Sequence, residues 1–295
     1  MKIGLIGLGT MGNPIGTCFI NAGHELKVYD VNQEAVESMC QKGAKKASTI
    51  SEFADGIQFC VLSLPNSPII EDTVFQKGGL LESLKPGTIV IDASTSNPES
   101  TKKIGKALAE KGIKMVDAPV SGGPGLAAKG QLTVMVGGDK EAVEESMEVI
   151  KLYCSKIYVL GDLSTGHTMK LVNNLLFGAT LAAGVEAIAL GTKAGLDPHK
   201  MVEVISESSG RCYAVNTKFP NIVFPRHFKP GFKTKLLHKD MDLAISLAKD
   251  LKVPVAVGNV AQQYYTTAMN NEEYRELDNT VIIKYFEQLL DIEVK

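Results

Sequence analysis

Lys2-Ile3-Gly4-Leu5-Ile6-Gly7-Leu8-Gly9-Thr10-Met11-Gly12 opens the chain, and Asp30 closes the unit that it begins. Ile3–Ile6 reads as a short buried strand, the glycines as a tight turn, the residues on to Ala22 as a helix, and Leu26–Asp30 as a second strand. Glycines at these positions let backbone approach a pyrophosphate, with Leu8, Thr10 and Met11 completing the cradle. The helix behind them aims its first N–H groups at that anion. An acidic residue about 20 positions on accepts hydrogen bonds from a ribose 2′-hydroxyl, and Asp30 fits that place. A carboxylate there repels a 2′-phosphate, and no arginine follows in Asp30-Val31-Asn32-Gln33-Glu34, so NAD is favoured over NADP. The competing account is a glycine turn chosen for packing alone.

Working outward, strands are expected at Gln58–Ser63, Thr88–Asp92, Lys114–Asp117, Gln131–Val136 and Lys156–Val159, with helices at Glu99–Lys111 and Asp139–Leu152. This alternation predicts a mainly parallel, doubly wound sheet that binds ligands at the carboxyl ends of its strands. Three loops leave those ends. Leu64-Pro65-Asn66 and Ser94-Thr95-Ser96 stand where a nicotinamide or its ribose is flanked, although turns rich in Pro, Ser and Asn need no ligand to explain them. In Ser121-Gly122-Gly123, a hydroxyl followed by two glycines can turn several backbone N–H groups toward one carboxylate.

Past Gly161 the strand pattern stops. Ser164-Thr-Gly-His-Thr-Met-Lys170-Leu-Val-Asn173-Asn174 opens a helical pattern that runs without proline from Gly166 to Ala194. It is apolar nearly all round, with a small-residue surface at Gly178, Ala179, Ala182, Ala183 and Gly184, and is expected to be buried between other elements. Lys170 and Asn174 share a face. A lysine is rarely buried without a partner or a task, so an amine and an amide at the mouth of such a helix form a candidate site. The plainer account makes Lys170 an exposed first-turn residue and the asparagines late caps. Helices are also expected from Asp197-Pro198, over Leu236–Leu251, Val255–Met269 and Asp278–Leu290, and Phe219–Phe232 reads as an irregular connection. The expected architecture is α/β: a Rossmann-type doubly wound domain over 1–162, then an all-helical domain over 163–295, joined by the long helix.

A length of 295 residues suits two domains, and the net charge of −2 gives no argument for nucleic acid or a membrane surface. The most apolar window falls short of the roughly 20 residues that span a bilayer. Five scattered cysteines without CxxC spacing fit free thiols in a reducing, cytoplasmic setting. The five histidines lack ligand spacing, so no metal is expected. No tyrosine precedes a lysine by four, which removes the short-chain dehydrogenase arrangement.

With Gly7-x-Gly9-x-x-Gly12, Asp92-Ala-Ser-Thr95, Asp117-Ala-Pro-Val-Ser121-Gly-Gly, Gly166-His-Thr-Met-Lys170-Leu-Val-Asn-Asn174 and Lys239-Asp240 in order, the chain resembles the β-hydroxyacid dehydrogenases, the family of 3-hydroxyisobutyrate dehydrogenase and tartronate semialdehyde (2-hydroxy-3-oxopropionate) reductase. The resemblance implies hydride transfer between NAD(H) and a small β-hydroxy acid or its semialdehyde, in an active site between the two domains. It puts the catalytic lysine on Lys170 and the substrate carboxylate on Ser121, Gly122 and Gly123. The substrate-side asparagine falls on Asn174, and cofactor contacts on Leu64, Pro65, Asn66, Thr95 and Lys239. It also implies a homodimer or homotetramer. One departure stands out: the family's lysine motif usually begins Gly-x-Gly, and here Ser164 takes the first place. Ser208-Ser-Gly-Arg211-Cys-Tyr213 is similar to the matching segment of 2-(hydroxymethyl)glutarate dehydrogenase, where Arg211 would grip a distal carboxylate; an exposed arginine after a helix-ending glycine is the alternative. Two other readings stay open, a non-catalytic NAD-binding regulator on this scaffold and a decarboxylase like 6-phosphogluconate dehydrogenase.

Overall fold

The computed structural model describes residues 1–295, which divide into two units, Met1–Lys170 and Leu171–Lys295. Nine strands of the first unit form one sheet: β1 (Lys2–Ile6), β2 (Glu25–Tyr29), β3 (Lys45–Lys46), β4 (Phe59–Leu62), β5 (Ile89–Asp92), β6 (Lys114–Asp117), β7 (Val120–Ser121), β8 (Leu132–Gly138) and β9 (Cys154–Gly161). The order is β3-β2-β1-β4-β5-β6-β8-β7, with β9 on β8. Strands β3 through β6 run parallel, β8 is antiparallel to β6 and β7, and β9 is parallel to β8.

Side chains alternate between the faces of a strand, and both faces here are apolar. Phe59, Val61, Ile89 and Ile91 enter a core with α1 (Gly12–Asn21), α2 (Gln33–Gln41), α7 (Gly123–Ala127) and α8 (Lys140–Ile150). Cys60, Leu62 and Val90 enter a second core with α3 (Ile50–Ala54), α4 (Ser67–Phe75), α5 (Leu80–Ser83) and α6 (Pro98–Ala109). Strands buried on both faces read as unbroken apolar runs, as parallel sheets require.

α9 (Thr165–Lys193) follows β9. The second unit adds α10 (Pro198–Ser206), α11 (Thr234–Asp250), α12 (Ala256–Ala268), α13 (Glu272–Glu276) and α14 (Ile283–Leu290) around one apolar core. The small residues of α9 allow close crossings: a Cβ on Gly178 would lie 2.4 Å from Met241 Sδ, and one on Gly191 2.1 Å from Met201 Sδ.

Three expectations are corrected. The 29-residue α9 is not buried all round, because Val172 (51 % exposed), Leu176 (65 %) and Leu190 (71 %) reach the surface. Burial follows the partners available on each side: Gly178, Ala182 and Gly184 are buried together with Leu181, Val185 and Ile188, whereas Ala183 is exposed. Nor does this helix fall short of a span: by length and apolarity alone it would cross a bilayer, although 44 % of its most apolar window is buried within the protein. Finally, Ala214–Val223 is a π-helix, where the aromatic, proline-bearing sequence predicts irregular chain from Phe219. Pro220 offers no N–H to an α-helical ladder, and the Phe224 N–H donates five residues back to the Phe219 carbonyl (3.0 Å). Buried Lys218 fastens the π-helix through both carboxylate oxygens of Asp278 (3.0 and 2.9 Å).

Candidate active site

In the first unit the candidate groups lie at strand ends. Gly7 takes a φ of 91°, and a Cβ there would sit 2.2 Å from the Ser63 carbonyl oxygen; at Gly12 it would sit 1.8 Å from that of Gly7. Those glycines are required by the fold itself. Gly9 is different, since a Cβ there would meet nothing within 4 Å. Nothing in the chain explains that glycine, whereas a ligand pressed on the backbone does. No side chain caps α1 and no carboxylate stands in its first turn. The Asn13 and Ile15 N–H groups donate to the Gly9 (3.0 Å) and Met11 (3.2 Å) carbonyls and Pro14 has none, which leaves the Gly12 N–H at the helix start for an external anion. The residues present therefore fit a dinucleotide. Asp30 braces the loop, accepting from the Leu8 N–H (2.6 Å) on one oxygen and the Asn32 N–H (2.7 Å) on the other. Each oxygen keeps a lone pair for a ribose hydroxyl.

The Leu64-Pro65-Asn66 and Ser94-Thr95-Ser96 loops are brought together by hydrogen bonds. The Leu64 N–H donates to Ser94 Oγ (2.9 Å), and Ser67 Oγ bonds both Ser96 Oγ (3.0 Å) and the Asn97 N–H (2.8 Å). Asn66 Oδ1 caps α4 through the Ile69 N–H, so part of its role is local. Gly122 and Gly123 have φ of 131° and 71°, backbone that a hydroxyl-bearing residue before two glycines can form and larger residues resist. Ser121 and Gly123 are half-buried and Gly122 is exposed.

Lys170 is 8 % exposed, which removes the account of it as a surface residue. Three residues earlier, His167 is fully buried between the ends of β5 and β6, where Asp92 and Asp117 stand side by side in register. Asp117 accepts from the Ser164 N–H (2.6 Å) and the His167 N–H (2.7 Å), capping α9. Burial pushes its carboxyl up from the usual range, and nearby His167 and these two N–H bonds work against that rise. Gly166 is forced, because a Cβ would lie 2.4 Å from the Met135 carbonyl oxygen. The departure at Ser164 shows as backbone: it sits at φ 86°, left-handed and buried.

In the second unit, Asn174 is buried and its Nδ2 donates to Asp240 Oδ2 (2.6 Å), while its Oδ1 accepts from Asn173 Nδ2 (3.0 Å). A carboxylate only accepts, so Asp240 dictates which end of the amide faces it. The Lys239 ammonium lies 3.1 Å from Asp240 Oδ1, yet without the alignment of a hydrogen bond, leaving that oxygen unsatisfied in the hydrogen-bond sense. Arg211 is exposed beyond α10 and forms no salt bridge.

Residues 2–161 match the model of the NAD binding domain of 6-phosphogluconate dehydrogenase, and residues 164–286 that of the NAD-binding of NADP-dependent 3-hydroxyisobutyrate dehydrogenase. The chain is 37 % identical to the 2-(hydroxymethyl)glutarate dehydrogenase of Eubacterium barkeri over 294 residues, covering 100 % of this chain and 97 % of that one. It belongs to the β-hydroxyacid dehydrogenase family. Another relative of this dehydrogenase is the NAD-dependent L-serine dehydrogenase of Pseudomonas aeruginosa, 35 % identical with 97 % and 98 % covered. Among solved structures, the 3-hydroxyisobutyrate dehydrogenase of Mycobacterium tuberculosis with L-serine superposes with a TM-score of 0.90 at 27 % identity, covering 96 % and 98 %.

Sequence reasoning missed Asp92, Asp117, His167, Thr101 and Asp240. A signal for the first three existed: two apolar strands each end in Asp, and adjacent parallel strands bring such carboxylates within about 5 Å. A pair like that asks for a donor between them. For His167 itself the sequence shows only the absence of metal-ligand spacing around it.

Proposed function

We propose that this chain oxidises the primary alcohol of a 3-hydroxy acid substituted at C2, with NAD as hydride acceptor and Lys170 as acid/base. Three substrates named by its relatives, 3-hydroxyisobutyrate, 2-(hydroxymethyl)glutarate and L-serine, share the HOCH2–CHR–COO⁻ skeleton and differ only in R. The observation that carries the reading is a buried amine, Lys170, in a chain whose Gly9 leaves open space before the dinucleotide loop.

NAD, when bound, supplies the carbon that takes the hydride. Gly7 to Gly12, with the Gly12 N–H at the start of α1, would hold its pyrophosphate, Asp30 its ribose, and Leu64, Pro65, Asn66, Thr95 and Lys239 would make further contacts. Asp30 favours NAD by repelling a 2′-phosphate. Ser121, Gly122 and Gly123 hold the substrate carboxylate through backbone N–H groups. The second N–H of the Asn174 carboxamide donates to the substrate hydroxyl oxygen, its orientation set by Asp240. Lys170 takes the hydroxyl proton as hydride leaves, and returns it in the reverse direction. An ammonium in water holds its proton to about pH 10.4; removing water favours the neutral amine that such a base requires.

Arg211, exposed and without an internal salt bridge, supports a dicarboxylate as one accepted substrate. The protein is proposed as a cytoplasmic homo-oligomer. Its cysteines are all free, and Val172, Leu176, Ala183, Ala187 and Leu190 form one exposed stripe on α9 at spacings of three, four or seven, suited to a second copy of the same helix. The direct test is absorbance at the reduced-nicotinamide band with NAD or NADP and mono- and dicarboxylate 3-hydroxy acids. Turnover with none of them would leave a non-catalytic NAD-binding protein.

A further inference from the structure

We propose that His167 is a positioning residue that sets the two nicotinamide loops against the helix of Lys170; this rests on the dehydrogenase reading above. A fully buried imidazole costs free energy unless both nitrogens find partners, and those found here are specific. Nε2 lies 3.2 Å from the Ser94 carbonyl oxygen and Nδ1 2.7 Å from Thr101 Oγ1. Ser94 and Thr101 lie on either side of the turn from β5 into α6, so one ring grips both sides of the segment that contains Thr95. A carbonyl accepts only, so Nε2 carries a hydrogen. Thr101 Oγ1 also lies 3.1 Å from the Asn97 carbonyl oxygen, and its single proton serves that acceptor or Nδ1.

Ser94 extends the grip. Its N–H donates to Asp92 Oδ1 (3.0 Å) and its Oγ accepts from the Leu64 N–H (2.9 Å), so both candidate cofactor loops meet at a residue whose carbonyl His167 holds. The remaining Asp92 oxygen has no hydrogen-bond partner and stands 3.8 Å from Nε2. On the other side, the His167 N–H is fixed by Asp117, which also fixes Ser164 at the start of α9. Lys170 follows one turn later on the same face. A core histidine needed only for packing would not join the two loops and the helix start through separate atoms.

Two variants read this out. His167→Ala removes both contacts, and is expected to weaken NAD binding measured by calorimetry and to lower kcat by on the order of 10- to 100-fold, the scale for misplaced reacting groups. KM for the hydroxy acid should move much less. His167→Gln keeps a donor for Ser94 and an acceptor for Thr101, and is expected to restore NAD affinity and kcat to within about threefold, less than one hydrogen bond's worth. A folded His167→Ala protein with wild-type NAD affinity and kcat overturns the proposal, and so does a folded Gln variant as impaired as the Ala one. Should the Ala variant fail to fold, Thr101→Val decides: it strips the Nδ1 partner, and unchanged NAD affinity with unchanged kcat overturns the proposal. If the wild-type chain binds NAD but turns over no hydroxy acid, the dehydrogenase reading falls while calorimetry still judges His167.

Discussion

The two units hold their candidate groups by different means. In Met1–Lys170 the cradle is backbone: glycine turns, N–H groups at strand ends, and polar side chains that brace those loops. In Leu171–Lys295 the equivalents are side chains holding side chains, Asp240 on Asn174 and Asp278 on Lys218. A backbone cradle depends on where glycines fall, and so it is written in spacing. A side-chain site depends on which helices meet, and one sequence does not display that.

The sharpest way to break this contrast is at Lys170. Lys170→Ala should lower kcat by roughly 10²- to 10⁴-fold, the contribution of a general acid/base, while NAD affinity stays; a variant retaining a tenth of normal kcat would mean another group moves the proton. Next come the glycines. Gly12→Ala should abolish NAD binding or folding, because the added Cβ would lie 1.8 Å from a carbonyl oxygen, whereas Gly9→Ala should keep the wild-type Tm and still weaken NAD binding severalfold. Equal losses of Tm in the two would show that Gly9 serves packing after all.

The second unit is probed by Asp240→Ala. With the carboxylate gone, only Asn173 Nδ2 still orients the Asn174 amide, and kcat should fall by about tenfold, near the lower end for one charge-assisted hydrogen bond, with NAD affinity less affected. Steady-state kinetics at saturating NAD checks this. Smaller still is Ser164→Gly: a left-handed L-residue costs about 1–2 kcal/mol, glycine's added chain entropy offsets about 0.5–1, and the net gain should raise Tm by roughly 2 °C. An unchanged or lower Tm would mean the Ser164 side chain contributes more than its backbone costs.

The smallest effect concerns Glu276, which hydrogen bonds from Lys233 and Lys235 hold at about 2. Its folded value lies below the unfolded 4.5, so its contribution to stability is complete above about pH 4.5 and fades as pH falls toward 2. The group is about half exposed, so screening limits it to about 0.5 kcal/mol. Glu276→Gln should therefore lower Tm slightly at pH 7, with the difference closing in acid and in high salt. A constant difference across pH would assign the effect to packing.

The first unit was legible because its rules are local. Gly7, Gly12 and Asp30 fall at fixed offsets, and apolar runs such as Ile89–Ile91 announce strands buried twice. Short pieces such as α3 and β3 escaped, being too brief to show a period. The π-helix escaped because a proline in an aromatic run signals interruption, not a widened coil, and the ion pair of Lys218 with Asp278 spans sixty positions. His167 escaped for a related reason: its partners Ser94 and Thr101 are far off in sequence, and only strand order brings them to it.

α9 carries the Lys170 amine and the Asn174 carboxamide on one rod, four residues apart. A single residue inserted between them would swing the second group about 100° around the axis relative to the first. Whatever turns this rod at the proposed proton acceptor therefore re-aims the proposed anchor as well, and selection has to accept both changes or neither.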